Sequence, residues 1–304
     1  MFFSVICASK NEEKIIHKLI DSFISLDYPK KELLIIDDSN DGTKKIIKSY
    51  LPNSKIKLID GYNDGCCEAR NLGIKNSIGD IIIFMTADSY FDYDFINKIK
   101  PYYENGYDAV MVNSLITNRK EIWSDFLQCF HENKIATNKN YSPLTTQGYS
   151  VKKSSAVKVG LIDSGIFKPN ICRDWTLIKK MDTKGYRKIF LKDVRCKHIA
   201  PNTSSEFILT QKVRGQISAG YNYKFRKKNL FLLFIYTFAK LLKYLIFNLI
   251  FLKVLFQSYK LEKYSQQKNK KLILLKFIFV DLIKNFSFIY GEFKTYIFFL
   301  LKKY

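Results

Sequence analysis

Ile81-Ile82-Ile83-Phe84-Met85-Thr86-Ala87-Asp88-Ser89 is an apolar run that ends abruptly in small residues and a lone carboxylate. Bounded by Gly79-Asp80 and by polar residues, it reads as a strand buried on both faces of a parallel sheet. Asp88 then falls just past the carboxyl end of that strand, where open α/β sheets place their ligands. A carboxylate there suits a divalent cation that holds a phosphate. The same residues also fit a strand that ends in an Asx turn, and the neighbouring segments decide between the two.

Outward from this strand, Phe2–Ala8 and Leu33–Ile36 are two more short apolar runs, and 56–59 is a weaker one. Between the first two, Ile15, Ile16, Leu19, Ile20, Phe23 and Leu26 recur at helical spacing, with Asn11 or Glu12-Glu13 placed to cap the helix. Asp37-Asp38-Ser39-Asn40-Asp41-Gly42-Thr43 is a cluster of turn and capping residues. Ala109–Val112 reads as a further strand, 122–134 as a helix and 138–150 as a loop; short strands are expected at 189–191 and 194–196, and a helix at 211–221. Strands alternating with helices predict a doubly wound, mostly parallel α/β sheet. In such a sheet the loop Ser9-Lys10-Asn11-Glu12, the pair Asp37-Asp38, the segment 65–71 and Asp88 converge on one edge. They offer carboxylates and an arginine to a base, a ribose, a metal and phosphates. No GxGxxG and no GK[ST] loop occurs, which removes support for NAD-type and P-loop chemistry.

The chain has 304 residues and a formal net charge of +22, a balance that raises nucleic acid or an acidic membrane surface as a partner. The distribution separates the two: residues 207–304 carry 19 Lys and Arg against 3 Asp and Glu, a net of +16, within runs rich in Phe, Leu and Ile. Basic residues mixed into apolar runs fit a membrane surface and not a nucleic-acid groove. Six cysteines show no metal spacing and read as reduced thiols, three histidines are too few for a His-rich metal site, and Met1-Phe2-Phe3 leads into a strand with no cleaved leader expected.

In order and spacing the chain resembles the family 2 glycosyltransferases of GT-A fold over about residues 1–200. The matching stretches are Ser4-Val5-Ile6 with Asn11-Glu12, Ile35 through Thr43, Ala69-Arg70-Asn71-Leu72-Gly73, Gly79-Asp80-Ile81, Thr86-Ala87-Asp88, Gly160-Leu161-Ile162-Asp163 and Arg173-Asp174-Trp175-Thr176-Leu177. The resemblance implies a GT-A (Rossmann-like) domain over 1–205, followed at 206–304 by a basic, apolar helical extension. It also implies inverting transfer of a sugar from a UDP- or GDP-linked donor to an acceptor hydroxyl or lipid phosphate. Asp38 matches the residue that hydrogen-bonds the base, with Ala8 contacting it through the backbone. Glu12, Arg70 and Ala87 line the nucleotide-sugar site, and Asp88 matches the metal-binding aspartate for Mg²⁺ or Mn²⁺. Asp174 matches the catalytic base.

Two departures stand out. Thr86 replaces the first acid of the DxD signature, and Arg173 replaces the acid before the base. Arg173 can pair with Asp174, lowering its pKa, or bind an anionic acceptor, and Trp175 can stack on a sugar or simply be buried. His198 is either a second metal ligand or a plain histidine. Gln211-Lys212-Val213-Arg214-Gly215 resembles the family's QxxRW element with Gly for Trp, which places Gln211 and Arg214 at the acceptor or diphosphate and argues against processivity; the other reading is an ordinary amphipathic helix. These departures keep open a non-catalytic membrane-bound scaffold that has lost turnover. The tail is expected to attach the protein to the cytoplasmic face of the membrane. Residues 230–256 exceed the roughly 20 needed to span, with Lys240 and Lys243 a cost near the middle that the many Leu, Ile and Phe residues can offset; the other reading is a set of helices lying flat, which the charges at Asp281, Lys284, Glu292 and Lys294 favour for the later stretches. A glycan or lipid-linked acceptor follows, with no nucleic acid. A chain cut near residue 228 is expected to become more soluble.

Overall fold

The computed structural model describes residues 1–138, 147–163, 175–225, 227–245, 247–267 and 270–301. Its strands are β1 (Phe3–Ser9), β2 (Lys31–Asp37), β3 (Ile56–Asp60), β4 (Ile81–Thr86), β5 (Ser89–Tyr90), β6 (Ala109–Ile116), β7 (Ser150–Lys152) and β8 (Lys188–His198). Its helices are α1 (Ile16–Ser25), α2 (Thr43–Ser49), α3 (Cys66–Asn76), α4 (Phe95–Glu104), α5 (Ile122–Thr137), α6 (Lys153–Lys158), α7 (Trp175–Thr183), α8 (Ser204–Gly220), α9 (Leu230–Leu245), α10 (Phe247–Glu262) and α11 (Lys270–Leu301). They form two compact units, Met1–Leu115 with Ser142–Ile199 and Ile116–Tyr141 with Ala200–Tyr304.

The first unit carries a sheet in the order β3-β2-β1-β4-β7-β6-β8-β5. The β1/β2, β1/β4 and β2/β3 pairs are parallel, and β4/β7, β6/β7 and β5/β8 are antiparallel. The sheet is therefore mixed, with its parallel half where β4 was read. The apolar run of β4 is unbroken because alternate residues feed two cores. Ile81, Ile83 and Met85 join Val5, Cys7, Leu33 and Ile35 against Ile16, Leu19, Ile20 and Phe23 of α1. Ile82 and Phe84 join Ile6, Leu34 and Ile36 against Cys67 and Ile74 of α3 and Leu177, Ile178 and Met181 of α7.

Three details differ from the sequence reading. No side chain caps α1: its N-cap is Ile15. Asn11 instead takes a left-handed conformation, φ 59°, which Asn tolerates. The loop at 138–150 ends in a strand, β7, three residues long and too short to show a period. The two short strands expected at 189–191 and 194–196 are one continuous strand, β8.

The second unit is helical. Phe126 and Cys129 of α5, Phe207 of α8, Leu261 of α10 and Phe277 and Val280 of α11 form its core. Thr203 and Glu206 open α8 with a reciprocal capping box. The buried Arg119 pairs with Asp125 at 2.8 Å and donates from Nη2 to the Tyr264 carbonyl at 2.6 Å, tying the segment after α10 to the start of α5. Two glycines let α8 and α11 cross at backbone contact: a Cβ on Gly215 would lie 1.9 Å from the Phe288 carbonyl oxygen, and one on Gly291 2.1 Å from that of Lys212. Residues 230–256 fall in two helices of 16 residues each. Among the described residues no helix is long and apolar enough to cross a membrane. The solubility gain expected from cutting near residue 228 does not follow from this packing, because the cut removes α11 and uncovers Phe126 and Phe207.

Candidate active site

The parallel register brings the strand ends together: Ser9 of β1 is paired with Asp37 of β2, Ala8 with Thr86 of β4, and Asp37 with Asp60 of β3. The loops that leave these strands are bonded to one another. Asn11 N–H donates to Ser39 Oγ at 2.7 Å, and Asn40 N–H donates to Asn11 Oδ1 at 2.9 Å. Glu12 N–H donates to Thr43 Oγ1 at 2.7 Å. The left-handed turn at Asn11 is thus what lets its amide reach the second loop. The cluster at 37–43 works as a latch as well as a turn.

Asp38 sits at the rim of this edge. Its Oδ1 accepts from Asn63 N–H at 3.0 Å, while its own N–H donates to the Ser9 carbonyl at 3.0 Å. The backbone of Gly61 passes so close that a Cβ there would meet Asp38 Oδ1 at 2.2 Å. A Gly61→Ala change displaces only the end of the Asp38 side chain, a small structural disturbance. We expect nucleotide affinity to fall by about tenfold while Tm moves by no more than about 3 °C, measured by calorimetric titration and thermal melting. An unchanged affinity would remove Asp38 from the nucleotide site.

Asp88 follows β4 and faces β8, whose last residue His198 pairs with Ser89. Asp88 Oδ2 lies 3.1 Å from His198 Nε2. Its Oδ1 accepts from Thr86 Oγ1 at 2.5 Å and from Ser89 Oγ at 3.3 Å. Burial alone would raise the Asp88 carboxyl, but the His198 charge and the bonds from His198, Thr86 and Ser89 together hold it below the usual carboxylate range. Thr86, which replaces the first acid of the signature, therefore acts on the second acid. Ser89 was missed by sequence reasoning, because a serine after a strand is an ordinary turn residue.

Glu12 behaves oppositely. Burial, then the charges of Asp88 and Asp41, push its carboxyl from an ordinary 4.5 up to about 7. The folded chain keeps a proton there that the unfolded chain has released, so this group's contribution to stability falls as pH rises from 4.5 to 7. A Glu12→Gln variant is expected to flatten the fall of Tm across that window; an unchanged slope would mean that Glu12 ionises normally.

The convergence of these groups is visible at Cys7 in β1. Burial raises its thiol, Arg70 opposes that, and Asp88, Glu12 and Asp37 add to it. Arg70 is buried in α3 at 3% exposure, and Ala87 is buried beside Asp88. At the next residue of α3, Asn71 Nδ2 donates to the Ile162 carbonyl at 2.9 Å while Ile162 N–H donates to Asn71 Oδ1 at 3.1 Å. That paired bond docks the Gly160–Asp163 motif. Asp163 N–H in turn donates to Thr176 Oγ1 of α7 at 3.1 Å. Arg173 and Asp174 lie outside the described residues, as does the Trp175 side chain, though the backbone of Trp175 opens α7. Gln211 and Arg214 belong to the second unit, where Gln211 is buried and Arg214 exposed. Among the described residues Gln211 Nε2 has no hydrogen-bond partner.

Among the described residues no three His, Cys, Asp or Glu side chains gather into a metal cage. Asp88 and His198 alone fit a different kind of metal site. Their 3.1 Å separation is close enough for the two side chains to share one small divalent ion, which would supply charge for a phosphate.

Asp38, Arg70 and the bonded Asp88–His198 pair thus gather at one edge of a mixed sheet of GT-A fold that carries no glycine-rich phosphate loop. Residues 4–153 match the model of Glycosyl transferase family 2. Relatives include the poly-beta-1,6-N-acetyl-D-glucosamine synthase of Staphylococcus epidermidis, 30% identical over 187 residues, or 57% of this chain and 45% of that one. The synthase of the same name from Staphylococcus aureus strain COL is 29% identical over 212 residues, 64% of this chain and 49% of that one. The chain thus spans about half the length of these curated relatives. Among solved structures, the mannosyltransferase PcManGT of Pyrobaculum calidifontis, in complex with GDP-Man and Mn²⁺, aligns with a TM-score of 0.57 at 19% identity, covering 75% of this chain and 64% of that one. TarS 1–349 of S. aureus, in complex with UDP-GlcNAc, aligns with a TM-score of 0.53 at 14% identity, covering 97% and 92%. These two likenesses are of fold.

Proposed function

We propose that this chain is an inverting glycosyltransferase that moves a sugar from a UDP- or GDP-linked donor to an acceptor hydroxyl or lipid phosphate, in assembly of a surface glycan or glycolipid. The observation that carries the reading is the Asp88 carboxylate, kept ionised beside His198 at the carboxyl end of β4. The donors named for PcManGT and TarS and the polysaccharide named for the staphylococcal synthases support the substrate class.

In this reading Asp38 and the Ala8 backbone hold the base, and Glu12, Arg70 and Ala87 line the sugar diphosphate. Asp88 and His198 hold Mg²⁺ or Mn²⁺, which when bound neutralises the departing nucleotide. The acceptor oxygen attacks the anomeric carbon from the face opposite the diphosphate. The carbon–oxygen bond to the diphosphate breaks, and its electron pair leaves with the nucleotide. Asp174 takes the acceptor proton. Arg173 and Trp175 receive the acceptor, and Gln211 and Arg214 contact acceptor or diphosphate. The GT-A domain is taken as 1–205, with the tail 206–304 holding the protein on the anionic cytoplasmic face of the membrane and no nucleic acid engaged.

Calorimetric titration with UDP and with GDP, each with and without Mn²⁺, tests the pocket. Metal-dependent binding of one nucleotide names the base. No binding of either, with or without metal, would sink the reading in favour of a non-catalytic scaffold.

A further inference from the structure

Helix α9 is apolar on both sides. Leu230, Leu233 and Thr237 are buried in its own unit. On the opposite arc Phe231, Leu232, Ile235, Tyr236, Phe238 and Leu242 are each between 46% and 65% exposed, and the one charge among the exposed residues of the helix is Lys243. A helix facing water carries polar residues on its outer side, and a contiguous exposed apolar face marks a contact.

Charge identifies the contact. Residues 207–304 hold 19 Lys and Arg against Glu262, Asp281 and Glu292. Two of those acids are spent inside the unit: Asp281, 1% exposed, pairs with Lys284, and Glu292, 1% exposed, pairs with Lys240. The surface around α9 is thus cationic, with Lys227 and Lys228 exposed just ahead of its first turn. A second copy docking through this face would set like charge against like. An anionic bilayer supplies both the apolar layer and the opposite charge. A cavity of about 560 Å³ flanks the same arc, lined by Lys228, Asn229, Leu232, Tyr236, Lys240 and Glu292 among others. Glu292 in that wall is balanced by its pair with Lys240, which leaves the Lys228 ammonium and the Asn229 amide beside apolar side chains, a lining that suits a lipid phosphate headgroup.

We propose that α9 lies in the plane of an anionic phospholipid surface, burying Phe231, Ile235 and Phe238 among the acyl chains, with a headgroup phosphate seated in the cavity beside Lys228. This rests on the membrane attachment proposed above and names the element that makes it.

The test is sedimentation of the full chain with phosphatidylcholine vesicles with and without phosphatidylglycerol. The expected result is binding to the phosphatidylglycerol vesicles that weakens with salt. A triple Phe231→Ser, Ile235→Ser, Phe238→Ser variant should lose roughly 100-fold in partitioning, and Lys228→Glu about tenfold. These side chains are exposed, so Tm and nucleotide affinity should stay at wild-type values. If the triple variant partitions like wild type, α9 is not the contact while membrane attachment stands. If wild type ignores both kinds of vesicle, attachment itself fails. A wild-type dimer in light scattering that the triple variant converts to monomer, without vesicle binding, would overturn the proposal in favour of a second copy. Nucleotide titration of the same samples reports separately on the transferase reading.

Discussion

An Asp88→Asn variant should lose Mn²⁺-dependent nucleotide binding, and its sugar transfer should fall by roughly 10³-fold. The residue is the single acid of its motif, and its carboxylate is stabilised in the charged form by His198, Thr86 and Ser89. Asparagine keeps the shape and one acceptor oxygen, so Thr86 and Ser89 are not stranded. That separates loss of charge from loss of fold better than alanine, which leaves buried partners unsatisfied at about 1–3 kcal/mol. Titration with Mn²⁺ and nucleotide, together with a melting curve, reads both. Retained metal dependence would take Asp88 out of the metal site. Asp88 should also contribute to the loss of stability in acid. Its folded-state pKa is depressed, so its stabilisation is present above the usual carboxylate value and is lost as pH falls through the depressed one.

The second large effect is expected at Asp174. Asp174→Asn should lower transfer by about 10²–10⁴-fold while nucleotide affinity stays near wild type, because the proposed base touches the acceptor and not the donor. The chain is fixed on both sides of it. Ile162 is bonded twice to Asn71, Asp163 is bonded to Thr176 and paired with Lys180. The substitution is therefore expected to leave α3 and α7 in place. Transfer at the wild-type rate would remove Asp174 from the role.

Much of the first unit was legible because its signals are local. The β4 run, the Asp37–Thr43 turn cluster and the helical spacing of α1 each declare themselves within a dozen residues. What escaped were contacts between distant segments. Thr86 looked like the loss of a ligand until Asp88 was seen to accept its hydroxyl. Asn11 looked like a cap until its left-handed turn put it against Ser39 and Asn40. The resemblance implied a mixed, mostly parallel sheet, but which strands run antiparallel was hidden, since β7 is only three residues long. In the second unit the apolar stretch 230–256 left a span and helices lying flat equally open, because hydropathy alone does not show which face of a helix is covered by its neighbours.

In the sequence, Gly215 read as standing in for the tryptophan of a QxxRW element. The crossing with α11 gives that glycine its own history. With the Phe288 carbonyl 1.9 Å from where a Cβ would begin, no indole can return while α11 lies across α8, and Gly291 seals the crossing from the other side. The two glycines and the long helix thus constrain one another. Placing any ring at position 215 would first require moving a 32-residue helix, so the residue there is set by the crossing of two helices.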